Sequence, residues 1–261
     1  MCTTCGCGTD DHNHDHDHGD HHHHGHGNHH HDHGHHHHDD GHGANKISVE
    51  TDILAKNNRL AAGNRALFGS KGIFALNLVS SPGSGKTTIL ERTLRELSGD
   101  FRCAVIEGDQ QTDNDAARIA AVGVPAVQIN TGAGCHLDAH MICHAVEKFD
   151  LDKLDLLFIE NVGNLVCPAV FDLGEHHKVV VLSVTEGEDK PLKYPQMFRV
   201  ADVMLLNKTD LLPYVDFDIQ KCTEMARRVS PDIAIFELSG KTGAGMDAWY
   251  AWLTGKIASM K

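Results

Sequence analysis

From residue 73 onward, short apolar runs alternate with stretches in which apolar residues recur every three or four positions. Runs at 73–79, 102–107, 126–129, 156–160, 179–184, 203–206 and 233–238 are nearly continuous in apolar residues and bounded by turn formers. Runs of that length and composition predict buried strands. The segments 87–97, 114–121, 137–149 and 218–229 predict helices between them, and 246–260 closes the chain as another. Ahead of the first run, Val49, Ile53, Leu54, Leu60 and Leu67 are spaced as on an amphipathic helix leading into the body. Strands alternating with helices call for a mostly parallel sheet covered on both faces. The expected fold is α/β, in one domain spanning 46–261.

Residues 1–45 carry no such pattern. Of the 23 histidines, 18 lie between His12 and His42, interleaved with Asp and Gly, and no Lys or Arg precedes Lys46. So little apolar surface predicts a tail that is disordered without a ligand. Eight aspartates in this stretch account for more than half of the formal charge of −13, so the body is only mildly acidic. A nucleic-acid-binding role, which needs a basic face, is excluded on that ground. The chain opens without the apolar core of a signal peptide, and no apolar run approaches the roughly 18–20 residues of a membrane helix. The eight cysteines are therefore expected to be reduced thiols in the cytoplasm, free to bind metal.

The chemistry begins at Ser80-Ser81-Pro82-Gly83-Ser84-Gly85-Lys86-Thr87-Thr88, between the first strand and the first helix of the body. Glycines there let backbone N–H groups turn toward one point, and the helix N-terminus adds its positive end, the design of a phosphate-binding P-loop. Lys86 is expected at the β- and γ-phosphates and the Thr87 hydroxyl at Mg²⁺. Ser80 stands where the usual pattern has its first glycine, so an altered loop entrance is expected rather than a lost site. The strand at 203–206 runs into Asn207-Lys208-Thr209-Asp210, an NKxD string whose aspartate can accept from both N1–H and N2–H₂ of guanine. Adenine offers no such pair of donors, so GTP is favoured over ATP. Ser239-Gly240-Lys241 resembles the accompanying base-contacting element. Asp109 and Glu160, each at a strand end, are candidates for holding Mg²⁺ or orienting the attacking water.

A second chemistry lies in the thiols. Cys2-x-x-Cys5-x-Cys7 packs three soft ligands into six residues, a set able to grip one ion. A redox pair is the competing reading, and the adjoining His tract favours metal. Imidazoles bind Ni²⁺, Cu²⁺, Zn²⁺ and Co²⁺ without selecting one, and an engineered tag would be a plain block rather than an irregular, Asp-laced tract. Within the body, Cys135, His136 and Cys167 make a Cys₂His set if their loops converge at the nucleotide edge of the sheet. His140 and Cys143 are weaker candidates, and Cys103 and Cys222 read as packing residues.

Taken together, CTTCGC (2–7), the His-rich insert, SSPGSGKTT (80–88), EGDQQTDNDA (107–116), GCHLDA (134–139), ENVGNLVCP (160–168), EGEDKPLKYP (186–195) and NKTD (207–210) resemble the HypB family. These are GTPases that help load nickel during maturation of nickel–iron hydrogenases. The resemblance covers nearly the whole chain. It implies a P-loop fold of the SIMIBI class, slow GTP hydrolysis and a GTP-favoured homodimer. It also implies a tight nickel site at Cys2, Cys5 and Cys7, and a nickel or zinc site at Cys135, His136 and Cys167 near the dimer interface. The implied partners are the small nickel chaperone HypA, the hydrogenase large subunit and, in some bacteria, a His-rich prolyl isomerase. Tract and cysteine motif together suggest nickel storage as well as delivery. Two alternatives stand beside this: the related urease accessory GTPase, and a metal-buffering protein on a vestigial GTPase scaffold. The former typically carries Cys-Pro-His, whereas here Ala169 follows Cys167-Pro168. The complete Lys86, Thr87 and NKxD set argues against the latter.

Overall fold

The strand β1 (Phe74–Ser80) is buried along its whole length, and its side chains sort by parity onto opposite faces. Phe74, Leu76 and Leu78 enter one apolar cluster with Ile89, Leu90, Leu94, Trp249 and Leu253. Ala75 joins a second with Phe68, Ile106, Leu137 and Ile142, and Val79 a third with Leu182, Met197 and Phe198. This period of two is what a strand covered on both faces requires. The computed structural model describes residues 41–109, 118–119, 121–132 and 134–260. The chain divides into two units, Met1–Asp52 and Ile53–Lys261, and the second holds the sheet.

The other strands are β2 (Cys103–Asp109), β3 (Ala126–Asn130), β4 (Leu156–Gly163), β5 (His177–Ser183), β6 (Val203–Asn207) and β7 (Ala234–Glu237). They form one seven-stranded sheet in the order β3-β2-β4-β1-β5-β6-β7, and every pairing is parallel. The α/β expectation holds, with all seven strands where the apolar runs predicted them. β4 runs past the expected end at 160 because Asn161 and Val162 stay buried, and Gly163 pairs with Ser80 across an irregularity.

The helices are α1 (Gly41–Lys71), α2 (Lys86–Leu97), α3 (Ala139–Val146), α4 (Lys190–Lys193), α5 (Pro195–Val200), α6 (Ile219–Val229) and α7 (Met246–Ala258). Most of the helix expected at 114–121 lies outside the described residues. α4 and α5 were not legible as helices; each is a short piece opened by a proline, Pro191 or Pro195. No helix among the described residues is long and apolar enough to cross a membrane. Because all strands run the same way, their C-terminal ends share one edge. The strand order reverses at β1, the usual place for a ligand crevice in an open α/β sheet.

Candidate nucleotide and metal sites

The loop after β1 and the N-terminus of α2 form the floor of a cavity of about 590 Å³ lined by residues 82–88, Asp109, Arg118, Glu160, Val162, Gly163 and Lys208. Lys86 Nζ donates to Ser80 Oγ at 2.9 Å, so the hydroxyl that replaces the usual glycine anchors the phosphate-loop lysine. Thr87 Oγ1 donates to Glu160 Oε1 at 2.7 Å, and both residues are buried. Asp109 reaches the cavity from the end of β2. The end of β4 abuts the loop: a Cβ on Gly163 would stand 3.1 Å from Pro82.

A second segment locks onto this loop from β6. Asn207 Nδ2 donates to Ser84 O at 2.8 Å, and its Oδ1 accepts from Gly240 N at 2.9 Å. Gly85 sits at φ 97° as the N-cap of α2. A Cβ there would meet Asn207 Nδ2 at 2.5 Å, so both conformation and space require glycine. Lys208, left-handed at φ 63°, sends Nζ to Gly83 O at 2.7 Å. Asp210 Oδ1 accepts from Ser239 Oγ at 2.6 Å. Within 207–210, Lys208 is the residue that lines the cavity; Lys241 lines a separate groove with Arg92 and Tyr250. The sequence-predicted nucleotide residues Gly83, Ser84, Gly85, Lys86, Thr87, Thr88, Asn207, Lys208, Asp210, Ser239 and Gly240 thus form one connected set.

At the same edge of the sheet, the loop before α3 and the 3₁₀ turn Cys167–Ala169 bring together three side chains of the types that ligate metals. Ligand atoms of Cys135, His136 and Cys167 lie within 4.8 Å of one another. The two sulfurs are 2.9 Å apart and both thiols are free. Cys135 Sγ is 3.6 Å from His136 Nδ1. The hydrogen bond from Cys135 to Cys167, followed by burial, raises the Cys135 thiol above its ordinary value. Burial lowers His136, partly offset by Asp138, which favours the neutral imidazole that a metal needs. Cys103 and Cys222 are buried, and desolvation pushes each to about 12, as fits packing residues.

Comparison with known proteins bears on both sites. Residues 74–237 match the family model described as the CobW/HypB/UreG nucleotide-binding domain. The hydrogenase maturation factor HypB of Azotobacter vinelandii is 65% identical over 207 residues, covering 79% of this chain and 68% of that protein. Its Escherichia coli K12 counterpart is 64% identical over 207 residues, covering 79% and 71%. The chain belongs to the HypB family. Among solved structures, HypB from Archaeoglobus fulgidus is 43% identical with a TM-score of 0.73, covering 78% of this chain and 99% of that one. Helicobacter pylori HypB, solved in complex with nickel, is 42% identical with a TM-score of 0.74, covering 78% and 96%.

The span matched by the family model holds the P-loop, Asp109, Glu160, the thiol–imidazole set and NKTD, and ends just before Ser239-Gly240-Lys241. Cys2, Cys5, Cys7 and the His tract lie outside the described residues. The structure of this HypB-family chain also shows side chains that motif reading missed. Asn164 Nδ2 donates to Cys135 O at 3.2 Å while its Oδ1 accepts from Val166 N at 2.8 Å, tying the two metal loops together. The Phe171 ring lies against His136, centroids 3.9 Å apart. Beneath them runs a buried polar chain. Lys178 Nζ donates to Pro168 O at 2.8 Å and Phe171 O at 3.2 Å, and stands 3.5 Å from Glu175. Glu175 accepts from Asn77 Nδ2 at 3.0 Å, Asn77 Oδ1 from Asn161 Nδ2 at 3.3 Å, and Asn161 Oδ1 from Leu137 N at 3.2 Å. Part of the signal for this chain was present in the sequence: Asn77 interrupts an apolar strand, and a buried polar group demands partners.

Proposed function

We propose that this protein is a GTP-hydrolysing nickel metallochaperone that hands nickel to the large subunit of a nickel–iron hydrogenase under assembly. The observation that carries this reading is the placement of β4. It supplies Glu160 to the phosphate cavity, passes Pro82 at Gly163, and four residues later reaches Cys167 of the metal set. A segment that responds to the γ-phosphate can thereby loosen or tighten a thiolate ligand. The names of the Azotobacter and Escherichia relatives and the nickel-bound Helicobacter structure support the same assignment.

In this reading Lys86 meets the β- and γ-phosphates and Asp210 selects guanine. The hydroxyl of Thr87 with the carboxylates of Asp109 and Glu160 is an all-oxygen set of the kind Mg²⁺ prefers. Mg²⁺ bound there would neutralise charge on the phosphates. Asp109 and Glu160 are the candidates to orient the attacking water. Nickel is the cargo; Zn²⁺ suits the same Cys₂His donors and competes for them. Cys2, Cys5 and Cys7 hold nickel tightly and the His tract stores it. HypA, the hydrogenase large subunit and a His-rich prolyl isomerase are the partners, and the working form is a GTP-favoured homodimer.

The test is reciprocal linkage. In a variant with Cys2, Cys5 and Cys7 changed to serine and residues 8–42 deleted, nickel affinity is measured with GDP and with a non-hydrolysable GTP analogue. A coupling of about 1–3 kcal/mol gives a roughly 5- to 150-fold difference, which Cys167→Ala abolishes. Equal affinities in the two nucleotide states would sink the gated-delivery reading.

A further inference from the structure

The helix that opens at the phosphate loop also reaches the loop after β7, through one side chain. Arg92 Nε donates to Gly240 O and Nη2 to Lys241 O, both at 2.9 Å. The fork of the guanidinium thus grips two consecutive carbonyls from α2. Gly243, at φ 90°, makes room for it: a Cβ there would stand 2.7 Å from Arg92 Nη1. Arg92 is half-buried, and with Gly240 and Lys241 it lines a groove of about 520 Å³ that shares Thr88 with the phosphate cavity.

The amides of this loop are spent within it, with one exception. Ser239 N donates to Ala244 O, Gly240 N to Asn207 Oδ1, Thr242 N to Ser239 Oγ, Gly243 N to Ser239 O and Ala244 N to Thr242 Oγ1. Among the described residues the Lys241 N–H meets no acceptor. It lies in one peptide plane with Gly240 O, and in a trans peptide the two point in opposite directions. By holding Gly240 O, Arg92 fixes where the Lys241 N–H aims. The same loop is tied to the carboxylate of Asp210, which accepts from Ser239 Oγ at 2.6 Å. Guanine carries an acceptor, O6, directly beside the N1–H that such a carboxylate reads, whereas adenine carries an amino group there.

We propose that Arg92 is a positioning residue that determines base specificity: by holding the Gly240–Lys241 peptide it aims the Lys241 N–H at O6 of the bound guanine. The inference rests on the guanine reading proposed above and adds a second check to it. An amide donor facing O6 meets the amino group of adenine donor to donor, an unfavourable pairing that rejects the wrong base. The rival account is that Arg92 is a strut, which stiffens the loop without bearing on what it reads.

The experiment uses the full chain with Mg²⁺ and titration calorimetry. Four ligands are titrated into wild type and Arg92→Met: GDP, ADP, inosine diphosphate and 6-thioguanosine diphosphate. Inosine lacks the exocyclic amine assigned to Asp210; the thio analogue replaces O6 by a sulfur that accepts hydrogen bonds poorly. Wild type should bind GDP roughly 3- to 10-fold more tightly than the thio analogue, the worth of one hydrogen bond between neutral groups. In Arg92→Met that preference should disappear, while the preference for GDP over inosine diphosphate is kept because Asp210 is untouched. Arg92→Lys, whose single ammonium can reach one carbonyl, should recover part of the discrimination against sulfur. Affinity ratios taken on one protein do not depend on how much of it is folded. If wild type does not discriminate against the thio analogue, or Arg92→Met keeps the wild-type ratio, Arg92 is a strut and the proposal is overturned with the guanine reading intact. A wild type that binds GDP no better than ADP overturns both.

Discussion

The nucleotide edge and the metal corner share one rim of the sheet but are built on different principles. Around the P-loop, the positions are set by contiguous chain. A strand, a glycine-bearing loop and a helix start follow one another within 80–88, and Asn207 and Lys208 clamp that loop through its carbonyl oxygens at Ser84 and Gly83. At the candidate metal corner the three thiol and imidazole groups come from two loops, held by side chains of Asn164, Lys178 and Asn161. A contiguous site is robust because backbone geometry over-determines it. A site assembled from separate loops is only as firm as the polar contacts beneath it, which also makes it the better place for a grip that must release.

The contrast can be broken most sharply at Asp210, the proposed base-reading residue. Asp210→Asn should exchange guanine for xanthine preference, a swing of roughly 10⁴-fold given what hydrogen-bonding sites achieve against mismatched ligands. Competition binding checks it, and nickel affinity at the corner should not change. Lys86→Ala should lower GTP turnover by roughly 10³-fold, the scale of losing a cation on a transferring phosphoryl group, again with metal binding intact. Wild-type turnover in that variant would remove the phosphate-loop assignment.

On the other side, Lys178→Met leaves Glu175 buried without its cation and should cost about 3 kcal/mol or more of folding stability. Denaturant unfolding measures that cost, and Lys178→Met with Glu175→Gln should recover part of it. In both variants the Pro168 and Phe171 carbonyls lose their donor, so nickel affinity at Cys135, His136 and Cys167 should fall even where stability is regained. The smallest effect is expected from Asn164→Ala. It removes the bond to the Cys135 carbonyl, worth about 1 kcal/mol, and should weaken metal binding several-fold while leaving GTP binding unchanged. A larger effect on GTP than on metal would mean that the two regions are not separable as described.

How far each region was legible follows from the same contrast. The seven strands, α2 and the phosphate loop are written as local strings, and the apolar runs located them within a few residues. α3 ends at Val146 rather than 149, where Glu147 takes over as its C-cap. That Cys135 and His136 should meet Cys167, 32 positions along the chain from Cys135, was open in the sequence, because convergence depends on loop paths. The support beneath them was not read at all. Asn77 was absorbed into the apolar run 73–79 and Lys178 was left just outside the run 179–184, although a polar residue buried in a central strand is a request for partners elsewhere in the fold.

The central position of β1 has a consequence for how the chain is made. Phe74 pairs with Leu156, and Leu76 with His177, so neither neighbour of this strand exists when it leaves the ribosome. At about 5–20 residues per second, the 82 residues from Ala75 to Leu156 take roughly 4–16 s to synthesise. During that interval only β2 and β3 among the early strands can pair with each other. The apolar strand that will carry the phosphate loop waits with both edges open, which makes this nascent stage a point of exposure to aggregation and of dependence on holding factors.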